Sequence, residues 1–141
     1  MAAVLVPIDA EDELIACGVR DSKRCSEVEI RELARWIGRH CVQAVERLEP
    51  EERPRALREH GGNESRLLAA MHARALERLA GSPGQPAFPL ARVDRFAPGR
   101  PVAAALARTL PGATVDECVR GERHVACAAA SIVARAATLR P

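Results

Sequence analysis

The run GERHVACAAASIVAR, residues 121–135, decides how the rest of the chain is read. Alanine recurs at 126, 128–130 and 134, while Val125, Ile132, Val133 and, further on, Leu139 supply apolar bulk. Alanine has no side-chain freedom to lose in a helix and lets a neighbour approach closely. The spacing therefore predicts a helix over 124–139 packed tightly on a sheet. Working backwards, residues 113–119 read as a strand and VAAALARTL, 102–110, as a short helix closed by Pro111 and Gly112, with APGRP as the turn before it. Residues 87–93 form an apolar approach to Asp94. Strand, helix, strand, helix in this order is the signature of an α/β layer architecture.

The first half supports the same reading. Residues 2–8 are an apolar run bounded by Pro7 and the acidic Asp9–Glu13 cluster, as expected of a buried strand. Ser26 stands three residues before Glu29, a capping box, and Ile30, Leu33, Ala34 and Ile37 mark the apolar face of a helix stopped at Gly38. Residues 40–48 fit helical and strand spacing equally, and EPEERPRALREHGG, 49–62, reads as a charged surface excursion with at most a short helix. A second long helix is expected at about 64–80, capped by Asn63, with Leu67, Leu68, Met71, Ala75 and Leu79 on one face and Gly81 past its end. GSPGQP, 81–86, is a loop. No internal repeat is visible, and 141 residues suit one domain.

Composition closes off several function classes. Lys and Arg total 21 against 19 Asp and Glu, so a net charge of +2 makes no global case for a nucleic-acid or membrane partner, and any such contact must be local. Lys23 is the only lysine among those 21. Trp36, Phe88 and Phe96 are the whole aromatic complement, too few for a surface that stacks single-stranded bases. The five cysteines are odd in number and lack a CxxC pair, which argues against a disulfide framework and a zinc ribbon and for free thiols in a reducing compartment. His124 with Cys118 and Cys127 matches no zinc spacing, and no histidine is given a role. The opening apolar run stops at Asp9, too early for a signal peptide or a membrane span, so a cytoplasmic location is expected.

Four segments in order carry a resemblance: GVRDSKRCS at 18–26, the helix from Asn63 to Ala80, VDRF at 93–96 and the run at 121–135. Together they resemble the type 2 ribonucleases H, the ribonuclease HII and HIII enzymes, over nearly the whole chain. The resemblance implies a ribonuclease H-like α/β fold, a mixed sheet flanked by helices, here lacking the first strand and the C-terminal helices. Residues 1–141 are then a partial catalytic domain. Asp94 falls at the family's strand-end aspartate and Glu122 at its last carboxylate. Glutamate there is the HIII habit, so the chain is expected to lie nearer to ribonuclease HIII. Ser22, Lys23, Arg24 and Ser131 fall in segments that line the family's nucleic-acid groove.

The implied activity is endonucleolytic cleavage of the RNA strand of an RNA–DNA hybrid with Mg²⁺ or Mn²⁺. Oxygen donors suit these ions, and a pair of ions clamps the attacking and leaving oxygens of a phosphodiester. Asp94 and Glu122 are the expected catalytic metal ligands. The family's other two carboxylates come from a glycine-rich first strand expected upstream of Met1, so the chain alone is expected to be impaired. Asp9, Glu11, Asp12 and Glu13 match a variable loop of the family and are not expected to substitute, and Asp116 and Glu117 read as a solvated strand edge. Each site residue has a plainer reading: Asp94 as a turn residue, Glu122 with Arg123 as a surface ion pair, Lys23 and Arg24 as a solvated helix entrance. The ordered match favours common ancestry for all three. Two other classes stay open, a non-catalytic hybrid-binding remnant and an α/β domain completed by a partner chain that supplies the missing strand.

Overall fold

The computed structural model describes residues 1–84 and 88–139. In chain order it contains strand β1 (Ala2–Leu5), helices α1 (Glu11–Ala16) and α2 (Glu27–His40), strand β2 (Val42–Val45), helices α3 (Arg53–Glu59) and α4 (Glu64–Ala80), strand β3 (Leu90–Asp94), helix α5 (Pro101–Leu106), strand β4 (Thr114–Cys118) and helix α6 (Val125–Ala136). Single 3-10 turns lie at Ile8–Ala10, Ser22–Arg24 and Gly121–Arg123. Gln85 and Pro86 of the expected loop, and residue 87 of the strand approach, fall outside the described residues.

The pairings of a mixed sheet are present, β1 antiparallel to β2 and β3 parallel to β4, but as two separate two-stranded pairs divided by a slot. Strand alternation sorts the side chains into two cores. Ala3 of β1 shares a core with Ala91, Val93 and Val115 of the second pair and with Leu76 and Leu79 of α4 and Val102 and Leu106 of α5. Ala2, Val4 and Val45 point the other way, against a core of Leu14, Ile30, Leu33 and Ile37 with Ala128, Ala129, Ile132 and Val133 of α6. The alanines of α6 let it pack on both α2 and β1.

The capping box of α2 forms as expected: the Glu29 amide donates to Ser26 Oγ at 3.3 Å, and the Ser26 amide to Glu29 Oε2 at 2.7 Å. Asn63 caps α4 through the Arg66 amide at 3.0 Å. Gly38, in contrast, does not stop α2, which runs on to His40. A Cβ at Gly38 would lie 3.3 Å from the Gln43 side chain, so the glycine makes room for β2. The acidic cluster is also no loop, because Glu11, Asp12 and Glu13 occupy the first turn of α1, where carboxylates face the positive end of the helix dipole. Leu14, fully buried, anchors that helix.

Glu117 overturns another expectation. It is not a solvated strand edge, since its Oε1 accepts the Val102 and Ala103 amides at 3.1 and 3.0 Å and so caps α5 from the neighbouring strand. Asp116 does face outward, 3.7 Å from Arg92.

Candidate active site

Asp94 closes β3, and the turn after β4 is folded back onto it. Arg120 takes a left-handed conformation at φ 56°, and the Gly121 amide then donates to Asp94 Oδ1 at 2.9 Å. A Cβ on Gly121 would lie 2.8 Å from both Cα and Cβ of Asp94, so only glycine permits this approach. Glu122 follows directly, exposed, between β4 and the start of α6. No ion pair engages Glu122 among the described residues, which leaves the surface pairing with Arg123 unsupported.

The Ser22–Arg24 turn forms the facing rim. Asp21 Oδ1 accepts the Lys23 amide at 3.0 Å, Ser22 Oγ lies 2.7 Å from Ser131 Oγ, and Arg135 donates to the Ser22 carbonyl. Lys23, Ser131, Asp94 and Glu122 line one cavity of about 1050 Å³. Ser22 and Arg24 do not line it. The buried Ser22 hydroxyl is engaged by Ser131, and Arg24 lies outside with its carbonyl 3.5 Å from an Arg20 nitrogen. Sequence reasoning passed over Gly121 and Arg135. The glycine directly before Glu122 was the available signal for the first; nothing local marks the second.

His72 of α4 also lines the cavity, stacked on Phe96 with ring centroids 5.4 Å apart. Burial lowers its pKa from 6.5 to about 4; the Met1 ammonium adds to the shift and Asp94 opposes it. The folded-state value lies below the unfolded one, so its stability contribution is complete above pH 6.5 and is lost as pH falls towards 4. Urea midpoints should drop over that window by the equivalent of about 3 kcal/mol. His72→Leu should flatten that part of the profile, and an unchanged slope would refute the assignment. Cys127 is pushed up to about 12 by burial and donates to the Arg92 carbonyl at 3.4 Å, so its thiol serves packing here.

Among the described residues no group of three or more His, Cys, Asp or Glu side chains is placed to hold a metal ion. Asp94 and Glu122 nevertheless fit such an ion in kind. Mg²⁺ and Mn²⁺ favour carboxylate oxygens, and Mg²⁺ commonly takes only one or two of them, filling its shell with water and phosphate oxygens.

The ribonuclease HII family model matches residues 1–140. A ribonuclease HIII of Protochlamydia amoebophila (strain UWE25) is 33% identical over 137 residues, covering 97% of this chain and 44% of the relative. Among solved structures, a mutant of Bst-RNase HIII superposes with a TM-score of 0.83 at 26% identity, covering 96% of this chain and 45% of the other. Bst-RNase HIII in complex with Mn²⁺ gives 0.80 at 28% identity with the same coverage. The ribonuclease HII of Archaeoglobus fulgidus, in its complex with PCNA, gives 0.76 at 26% identity, covering 96% of this chain and 62% of that one. The chain belongs to the ribonuclease HII family, the type 2 ribonucleases H, and has their ribonuclease H-like fold. It spans a little under half the length of the curated relative it matches.

Proposed function

We propose that this chain carries one wall of a hybrid-cleaving site: endonucleolytic hydrolysis of the RNA strand of an RNA–DNA hybrid, dependent on Mg²⁺ or Mn²⁺ and leaving a 3′-hydroxyl. The observation that carries the reading is the convergence of Asp94, Glu122 and Lys23 on one cavity from three separate parts of the chain. Asp94 and Glu122 would hold the metal. Bound there, the ion would supply positive charge to the scissile phosphate and to the groups that enter and leave it. The Gly121 amide fixes the orientation of Asp94, and the Ser22–Ser131 and Arg135–Ser22 contacts seat the turn from which Lys23 reaches a backbone phosphate. Family membership and the Mn²⁺ complex of a relative support the metal; the relatives' names support the substrate. We place this activity in the cytoplasm, on the odd, unpaired set of thiols. No helix among the described residues is long and apolar enough to cross a membrane.

Two carboxylates make a weak cage, so residues 1–141 alone are expected to cleave a labelled hybrid slowly or not at all. They should still bind it with a clear salt dependence, and Lys23→Ala should lower the slope of log K against log salt by about one. Hybrid affinity and slope untouched by that substitution would remove Lys23 from the site. Robust cleavage that survives Asp94→Asn would overturn the active-site assignment.

A further inference from the structure

His124 follows Glu122 closely in the chain and shares the cavity wall with it, with Arg123 and with Asp94. Its backbone is held on both sides. The His124 amide donates to the Gly121 carbonyl at 2.9 Å, closing the turn that carries Glu122, and its carbonyl accepts the Ala128 amide at 3.0 Å as α6 begins. The residue is thus tied to the turn and to the helix at once.

The side chain is not used for the helix. A side chain at the N-cap position commonly accepts a helix amide, yet the imidazole makes no such bond. Its Nδ1 meets a guanidinium nitrogen of Arg92 instead, and the other side of that guanidinium lies 3.7 Å from Asp116 on the adjoining strand. A guanidinium has donors and no acceptor, so Nδ1 is the accepting nitrogen and the proton of the neutral ring sits on Nε2. Among the described residues nothing engages Nε2. Asp116, Arg92 and His124 therefore form a short chain of contacts whose free end is a neutral N–H donor, on the wall that also carries Glu122.

Such a donor differs in kind from Lys23. A lysine ammonium attracts phosphate from any direction and displaces counterions as it does so, whereas a neutral N–H is directional and displaces none. Its match is an oxygen acceptor presented next to the metal ligands, which in a hybrid is a phosphate oxygen or a ribose hydroxyl oxygen. A contact that merely tied α6 to β3 would need only Nδ1 and would be indifferent to what Nε2 carries.

We propose that His124 is a substrate-contacting residue, donating from Nε2 to a backbone oxygen of the hybrid beside Asp94 and Glu122, and that Arg92 is the positioning residue that holds its tautomer and orientation. The proposal rests on the hybrid-cleaving reading and adds an uncharged contact to it.

The test measures binding of a labelled RNA–DNA hybrid, and of a DNA duplex of the same sequence, by residues 1–141 without divalent metal. His124→Leu should weaken hybrid binding about three- to tenfold, as expected for one neutral hydrogen bond, and leave the slope of log K against log salt unchanged. His124→Gln, whose amide can accept from Arg92 and donate to the hybrid, should recover affinity to within about twofold. A loss on both duplexes identifies a phosphate oxygen as the acceptor, and a loss on the hybrid alone a ribose hydroxyl. In chain carrying isotope-labelled histidine, the free protein should show His124 protonated at Nε2 and bare at Nδ1. Added hybrid should shift the Nε2 signal and slow exchange of its proton, and Arg92→Met should blunt both effects. The contact is overturned, with the hybrid reading left standing, by unchanged affinity in His124→Leu, by an equal loss in His124→Gln, or by a ring protonated at Nδ1. An Arg92→Met chain indistinguishable from wild type overturns the positioning role, and a wild-type chain that binds no hybrid overturns the proposal together with the reading beneath it.

Discussion

Asp94→Asn is expected to lower Mn²⁺-supported hybrid cleavage by more than ~100-fold in any form of the chain that is active, with no loss of thermal stability. The separation of the two effects comes from the Oδ1 atom, which accepts the Gly121 amide and is retained in asparagine. What disappears is the anionic charge. Partners outside a metal's coordination shell already cost ~10–100-fold when removed, and a ligand should exceed that. Asp94→Ala should cost the same activity and also destabilise the fold by about 1 kcal/mol, since the Gly121 amide loses its acceptor. Mn²⁺ affinity, followed by the paramagnetic signal of the free ion, should fall in parallel for both variants. If Asp94→Asn retains wild-type Mn²⁺ affinity, Asp94 is not a ligand.

Gly121→Ala should be the most damaging single methyl addition in the chain. Its new carbon would lie 2.8 Å from Cα and Cβ of Asp94, and neither is the far end of a flexible side chain that could swing aside. Relief requires the β3 end and the turn to separate, and overpacking of this kind costs about 1–3 kcal/mol. A drop in melting temperature of roughly 5–10 °C should result, together with loss of metal binding as Glu122 moves with its neighbour. Gly112→Ala is the control, because nothing lies within 4 Å of the added carbon there. Equal melting temperatures for the two variants would show that the Gly121 contact is not rigid.

Legibility in the sequence tracked how local each determinant is. The caps of α2 and α4 were readable because donor and acceptor lie three residues apart, and Asp94 because an apolar strand leads into it. The helix α1 was not, since it buries only Leu14 and its acidic first turn reads as a loop without the dipole it serves. Glu117 looked like a solvated edge residue because its partners, the Val102 and Ala103 amides, are supplied by a helix that only the fold brings near. Glu46, buried between Arg74 at 3.1 Å and Arg78 at 3.2 Å, likewise has partners that only the fold supplies, and nothing local in the sequence marks it. Of the site, Asp94, Glu122, Lys23 and Ser131 were placed together on the cavity, whereas Ser22 and Arg24 were expected beside them and lie off it. Ordered motifs report ancestry; which hydroxyl faces the groove and which is tied to its neighbour depends on where α6 lands.

The long separation between α2 and α6 also sets a schedule for synthesis. The buried stripe of α2, Ile30, Leu33 and Ile37, is completed by Ala128, Ala129, Ile132 and Val133 of α6, which are made long after it. At ordinary translation speeds that interval is on the order of ten seconds. Through it the first half of the nascent chain carries an uncovered apolar helix face, a ready substrate for a holding chaperone and a window for misassociation on polysomes.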